Sequence, residues 1–344
     1  MTSSISDTRG LISRNPFAKH RVRPMIIMSA IILSTAPAET IGYLSETLRQ
    51  HGYIVRLVIT APGPNAFLHQ KHFDGLGERV SAYLKQGDLG AEQSIAPPAV
   101  VALSRASQME PLFAAYDPDI AISFGFPYLL GKKLLSSRCK FVNLHTAPIP
   151  SLRGPNPHIW PILRPDKYPL RDFTACAHYM VPEADRGPII LETLVDTAHL
   201  PEDTFTAKDL ERAAAMSLLG ALDEVLGLVK DGFKGNVQSP DVPGQKLSEQ
   251  TGHGQARMLT DGERMITPDM TSSEVSKLVR AVGASAWPAL VSLPNGVHSV
   301  TQIHAAKADG AVIVQEHAGH SKRVGFFTRY ECLDGPIMFA TEKI

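Results

Sequence analysis

Met25-Ile-Ile-Met-Ser-Ala-Ile-Ile-Leu33, then Glu39 to His51, then Gly52 and Tyr53-Ile-Val-Arg-Leu-Val-Ile59 form the stretch that decides the fold. The first run is continuously apolar, as parallel strands covered on both faces are. Glu39 to His51 sets Ile41, Leu44 and Leu48 on one helical face, and Gly52 ends that pattern. Strand, helix and strand make a βαβ unit, the seed of a parallel sheet. A rival reading is a secretory signal, with Lys19, His20, Arg21 and Arg23 before the run and Ala36-Pro37-Ala38 after it. The run is too short to span a bilayer, which takes about 20 apolar residues. The helix and second strand behind it favour the strand. Residues 1–24 then read as a disordered basic arm, with a transit peptide as its sharper alternative.

The same rhythm runs outward from this unit. Residues 67–85 have a loosely helical pattern and 86–98 read as a loop. Val100 to Leu103 is a short strand, Met109 to Tyr116 a helix, Ile120 to Phe124 a strand, Leu129 to Leu135 a helix and Phe141 to Leu144 a strand. Residues 171–181 read as one more strand, and Lys208 to Lys230 as one long helix. Alternation of this kind predicts an α/β fold, a Rossmann-like, mostly parallel sheet over residues 25–230 with ligands gathered at strand C-termini. Residues 231–256, rich in Gly, Pro, Gln and Ser, read as a linker. Beyond it, Thr271-Ser-Ser-Glu274 is a capping box. Strand-like runs follow at Ala289–Leu293, Val297–His304, Ala311–Gln315 and Arg323–Phe327. They predict a small β-rich, barrel-like C-terminal domain over 257–344.

Composition sets the outer limits. The chain has 344 residues, 44% hydrophobic, enough for about two domains with their own cores. The 34 basic and 34 acidic residues cancel, so no net field draws the chain to DNA or to a membrane surface. Cys139, Cys176 and Cys332 contain no CxxC pair, which excludes a disulfide scaffold and a cysteine-rich zinc site. A cytoplasmic, reducing-compartment protein is the expectation. His69, His72, His158 and His178 lack metal-ligand spacing, so no metal is expected. Trp160 reads as packing beneath a loop and Cys176 as a small core residue. Neither a P-loop nor a GxGxxG after a strand occurs.

Chemistry concentrates in Asn143-Leu-His145-Thr-Ala-Pro-Ile-Pro150-Ser-Leu-Arg153-Gly154-Pro-Asn-Pro-His-Ile-Trp160. Asn143 and His145, two apart at a strand end, share one face of the sheet. An amide donor beside an imidazole can build an oxyanion site with an adjacent acid/base. Taken alone, Asn-x-His is more often only a polar strand end.

The whole stretch resembles the folate-dependent formyltransferases: methionyl-tRNA formyltransferase, glycinamide ribonucleotide formyltransferase and the sugar N-formyltransferases. Asn143, His145, Pro150, Arg153, Gly154, Pro157 and Trp160 follow the family's signature in order. Ala177 to Ile189 is similar to the second signature, which ends Asp-x-Gly-Pro-Ile and places Asp185 on the catalytic aspartate. Asp117 to Gly125 resembles the strand and turn lining the folate pocket, and Thr267 to Lys307 the small domain of the methionyl-tRNA branch. Departures stand at Ala147, Arg186, Ser34 to Glu39 and Ala61 to Ala66. These bear on the acceptor rather than on the chemistry.

The resemblance implies the formyltransferase fold, 10-formyltetrahydrofolate as donor and a primary amine as acceptor. It implies Asn143, His145 and Asp185 as the catalytic set. Asn143 and His145 would hydrogen-bond the tetrahedral oxyanion, while Asp185 orients the imidazole or a shuttling water. The pterin slot would be built by Phe124, Gly125, Phe126, Pro127, Tyr128 and Leu129 with Met180, Val181, Pro182 and Glu183. Pro150, Arg153 and Gly154 would form the substrate loop, Arg153 bracing it rather than binding an anion. A small amine, an aminosugar nucleotide or amino-acid derivative, is the preferred acceptor because the chain is neutral and lacks the tRNA branch's basic loop. Methionyl-tRNA is the alternative, and a formyl-folate hydrolase the third reading.

Overall fold

The computed structural model describes residues 28–61, 78–79, 82, 98–238, 256–283, 288–294, 296–304 and 326–343. The arm at 1–24, the expected strand at Ala311–Gln315, His69, His72 and most of 67–85 lie outside them; Glu78, Arg79 and Ala82 are helical.

The deciding stretch folds as read. β1 (Met28–Ser34), α1 (Ala38–Gln50) and β2 (Tyr53–Thr60) form a βαβ unit with β1 parallel to β2. Residues 30–33 of β1 are fully buried because both faces of the sheet are covered. Ala30 and Ile32 enter one core with Ile41, Leu44 and Leu48 of α1. Ile31 and Leu33 enter the opposite core with Met109 and Phe113 of α2 (Met109–Tyr116). The two-residue strand period feeds both cores from one strand.

β3 (Ala99–Ala102), β4 (Ile120–Phe124), β5 (Lys140–His145), β6 (Thr174–Tyr179) and β7 (Ile189–Leu194) complete a seven-stranded sheet of order β3-β2-β1-β4-β5-β6-β7. The ladders are parallel as far as β5, then antiparallel from β5 to β6 and from β6 to β7. Strand order reverses at β1 and β4, so their carboxyl ends flank a crevice. Ser34 Oγ donates to Phe124 O at 2.7 Å, and Thr35 Oγ1 to Gly125 O at 2.7 Å, tying those ends together.

Several elements differ from expectation. Only Lys132–Leu135 is helical (α3), because Gly131 is extended and holds the chain out of the helix before it. A short 3₁₀ turn at Leu170–Asp172 delays β6. After α4 (Trp160–Leu163), the expected long helix is two, α5 (Ala207–Gly220), capped by Thr206, and α6 (Leu222–Lys230), divided at Ala221 next to Gly220. Residues 231–238 lie against the sheet edge, where Ile189 and Asn236 exchange backbone bonds of 2.8 and 2.7 Å.

α7 (Asp261–Arg264), β8 (Met265–Ile266), α8 (Ser272–Val282), β9 (Ala289–Leu293), β10 (Gly296–His304), β11 (Phe326–Cys332) and β12 (Gly335–Lys343) make the small β-rich unit. Its sheet runs β11-β12-β10-β9-β8, and among the described residues no ladder closes β11 onto β8. The capping box forms, with Glu274 N donating to Thr271 Oγ1 at 3.2 Å and Thr271 N to Glu274 Oε2 at 2.8 Å. α8 buries Val275, Leu278, Val279 and Val282 in the same core as α1, α5 and α6, and it packs on α4. Among the described residues no helix is long and apolar enough to cross a membrane.

Candidate active site

The end of β5 carries Asn143 and His145 on one face, and their loop runs on through a cis Ile149–Pro150 bond to Gly154. Opposite stands Asp185, in the turn between β6 and β7. That turn folds back sharply: a Cβ on Gly187 would lie 1.6 Å from Tyr179 O, so only glycine fits there. Asp185 itself has φ 53, a left-handed conformation unusual for a residue with a side chain.

The three expected catalytic residues come together. Asn143 Nδ2 donates to Asp185 Oδ1 at 3.3 Å, and His145 Nδ1 lies 3.7 Å from Asp185 Oδ2. Gly154 N–H donates to the same Oδ2 at 2.8 Å. His145 Nε2 sits 3.0 Å from Leu152 O, which can only accept, so Nε2 carries the proton and Nδ1 is the basic nitrogen. Burial lowers the His145 pKa, with Asp185 and the Leu152 carbonyl pulling the other way, so the ring is neutral at pH 7. Burial pushes the Asp185 carboxyl up, but His178, His145 and Gly154 N–H together outweigh it and hold it at about 2.

Two further residues belong to this cluster and were not read as such. His178 is paired directly opposite Asn143 across the β5–β6 ladder. Its Nδ1 lies 2.8 Å from Tyr179 O, and its Nε2 lies 3.1 Å from Asn143 Nδ2 and 3.4 Å from Asp185 Oδ1. Asn143 Nδ2 thus donates to Asp185 Oδ1 at 3.3 Å while lying 3.1 Å from His178 Nε2, and donation to an oxyanion means releasing the Asp185 bond. Gln238, inside the expected linker, bonds the backbone of Asp185 and Gly187 on one side and Arg153 on the other. Strand register could have flagged His178 only once the antiparallel pairing was known; Gln238 carried no sequence signal.

A cavity of about 740 Å³ opens beside these groups. Gly125, Phe126, Pro127, Tyr128 and Leu129 line it as expected, with Phe126 edge-on to Tyr128 at 5.6 Å. Gly154 lines it too, while Arg153 is buried behind the loop and braces it through Gln238. Phe124, Met180, Val181, Pro182, Glu183 and Pro150 do not line this cavity. Met180 N–H instead bonds Phe141 O at 2.9 Å, and its side chain packs on the core beneath the Phe126 loop. The far wall brings Lys208 and Glu211 of α5, Met258, and Arg280 of α8. Arg280 donates to Phe205 O at 3.0 Å and Glu202 O at 3.2 Å, which joins α8 to the start of α5. Among the described residues no cluster of His, Cys, Asp and Glu has the form of a metal site.

Residues 77–217 match the family model described as formyl transferase. That match bears out the resemblance read from the sequence and supports an enzyme that transfers formyl groups. In fold the chain is similar to HypX from Aquifex aeolicus in complex with tetrahydrofolic acid, with TM-score 0.57, 12% identity, and coverage of 91% of this chain and 43% of that one. It thus spans less than half of HypX. A sugar N-formyltransferase from a Shewanella species matches with TM-score 0.54 and 11% identity over 80% of this chain and 97% of that one. A 4-N formyltransferase from Francisella tularensis matches with TM-score 0.54 and 14% identity over 78% and 94%. No curated protein matches the sequence.

Proposed function

We propose that the protein moves the formyl group of 10-formyltetrahydrofolate to the primary amine of a small acceptor, an aminosugar nucleotide or amino-acid derivative. The observation that carries this reading is the convergence of Asn143, neutral His145 and ionised Asp185 at one side of a cavity of about 740 Å³. The HypX structure with tetrahydrofolic acid supports a folate-derived donor. The apolar loop Phe126–Leu129 suits the flat pterin, which leaves the Lys208–Glu211–Arg280 wall for the acceptor. A chain with no net charge favours a small molecule over tRNA.

In the proposed reaction the amine attacks the formyl carbon and loses a proton. His145 Nδ1 is the group to take it, because Leu152 O holds the other nitrogen protonated. The resulting imidazolium places its new N–H toward Asp185 Oδ2, and the carboxylate, already ionised, stabilises that charge. His145 then returns the proton to the departing folate nitrogen. Asn143 releases its bond to Asp185 to meet the negative formyl oxygen. Incubation with 10-formyltetrahydrofolate and a panel of amines tests the proposal. A small amine heavier by one formyl group supports it, whereas formylation of methionyl-tRNA alone, or formate release with every amine ignored, overturns it.

A further inference from the structure

We propose that Gln238 is the positioning residue of the catalytic carboxylate: it holds the Asp185 main chain in its left-handed conformation and so keeps the carboxylate between His145, Asn143 and Gly154. The proposal deepens the function above and rests on it for the role of Asp185.

The Gln238 carboxamide is buried and all four of its hydrogen-bonding positions are used. Nε2 donates to Asp185 O at 2.8 Å and to Gly187 O at 2.7 Å. Oε1 accepts from Arg153 Nε at 2.9 Å and also from Arg153 Nη2. Carbonyls only accept and a guanidinium only donates, so the amide has one orientation. A residue with a side chain stays at φ 53 only where its surroundings over-determine it. Gln238 supplies that restraint at the carbonyl of Asp185 itself. Its other end grips the loop whose Gly154 N–H meets Asp185 Oδ2 at 2.8 Å. One amide therefore fixes both loops that meet at the carboxylate. It enters from beyond the family-matched residues 77–217, along the strip that pairs Asn236 with Ile189.

Gln238→Glu separates this role from simple bracing. The carboxylate keeps both Arg153 bonds but offers oxygen to two carbonyls, so only the Asp185 side is lost. Steady-state kinetics on Gln238→Glu and Gln238→Leu should show kcat lowered roughly 10-fold to 100-fold, with KM for donor and acceptor nearly unchanged. In an Asp185→Asn background, Gln238→Glu should add nothing further. Nuclear magnetic resonance titration gives a readout independent of the acceptor. The His145 imidazole should titrate lower in Gln238→Leu than in the native protein, by as much as in Asp185→Asn, because Asp185 raises it. Should Gln238→Leu fail to fold, Gln238→Glu, which keeps its Arg153 partner, carries the kinetic measurement and uncharged, similarly sized Gln238→Met the titration. Unchanged kcat in folded Gln238→Glu, a loss confined to KM or thermal stability, or an unshifted His145 overturns the proposal. Normal turnover in Asp185→Asn alone would instead sink the underlying reading.

Discussion

Two oxygens flank the His145 imidazole. Leu152 O fixes the proton on Nε2, so the neutral ring has no Nδ1 proton to offer Asp185 3.7 Å away, and the carboxylate is placed beside the charge that protonation of Nδ1 would create. On the proposed mechanism, replacing His145 by Ala removes the proton carrier, so turnover should fall by roughly 10²-fold to 10⁴-fold. Asn143→Ala removes the amide near the formyl oxygen and should lower kcat by roughly 10²-fold to 10³-fold. Asp185→Asn keeps the shape but not the charge, so its loss should appear in kcat with folate affinity little changed. Single-turnover rates with folded variants check all three, and near-native turnover in any of them removes that residue from the mechanism.

At the scale of elements, the site depends on two tight passages. Gly187 lets the β6–β7 turn close over Tyr179 O, so Gly187→Ala must displace Asp185; loss of activity at retained secondary structure by circular dichroism is expected, and native turnover would contradict it. The helix cap at Thr271 starts α8, which delivers Arg280 to the cavity. Much of this layer is legible in the sequence because its signals are local. Continuous apolar runs gave β1 and β2, the capping box gave α8, and Asn143 with His145 followed from strand alternation. β7 and β8 escaped because short, partly exposed strands lack a period strong enough to stand out. His178 and Gln238 escaped because their roles arise from pairing across the sheet and from chain return after α6, neither of which leaves a mark in neighbouring residues.

At the scale of the whole molecule, the two units share a core, since α8 buries Leu278 and Val279 beside residues of α5 and α6. A chain ended near residue 235 would lose Gln238 and expose that face. It should aggregate or bind folate poorly by calorimetry, and a monomeric fragment with native folate affinity would contradict the shared core. Acid should weaken the fold in two stages. His158 is buried against Thr146 O, and burial lowers its pKa to about 4, so the unfolded chain takes up its proton first as pH falls below about 6.5. That loss amounts to roughly 3 kcal/mol by pH 4. Asp185, held at about 2, contributes stability above about pH 4 that disappears as pH falls toward 2. Urea midpoints from pH 7.5 to 4 should therefore fall, and fall less in His158→Gln; a flat profile would contradict the buried neutral ring. The central claim is that His145 carries the amine's proton, with ionised Asp185 stabilising the charged ring, during formyl transfer to a small acceptor. Its most direct test is single-turnover transfer from 10-formyltetrahydrofolate to the best amine of the panel, followed by mass, in the native protein and in His145→Ala. The account predicts formylated amine from the native protein and a rate at least roughly 10²-fold lower in the variant. Equal rates in the two, or no formylated small amine from either, would contradict it.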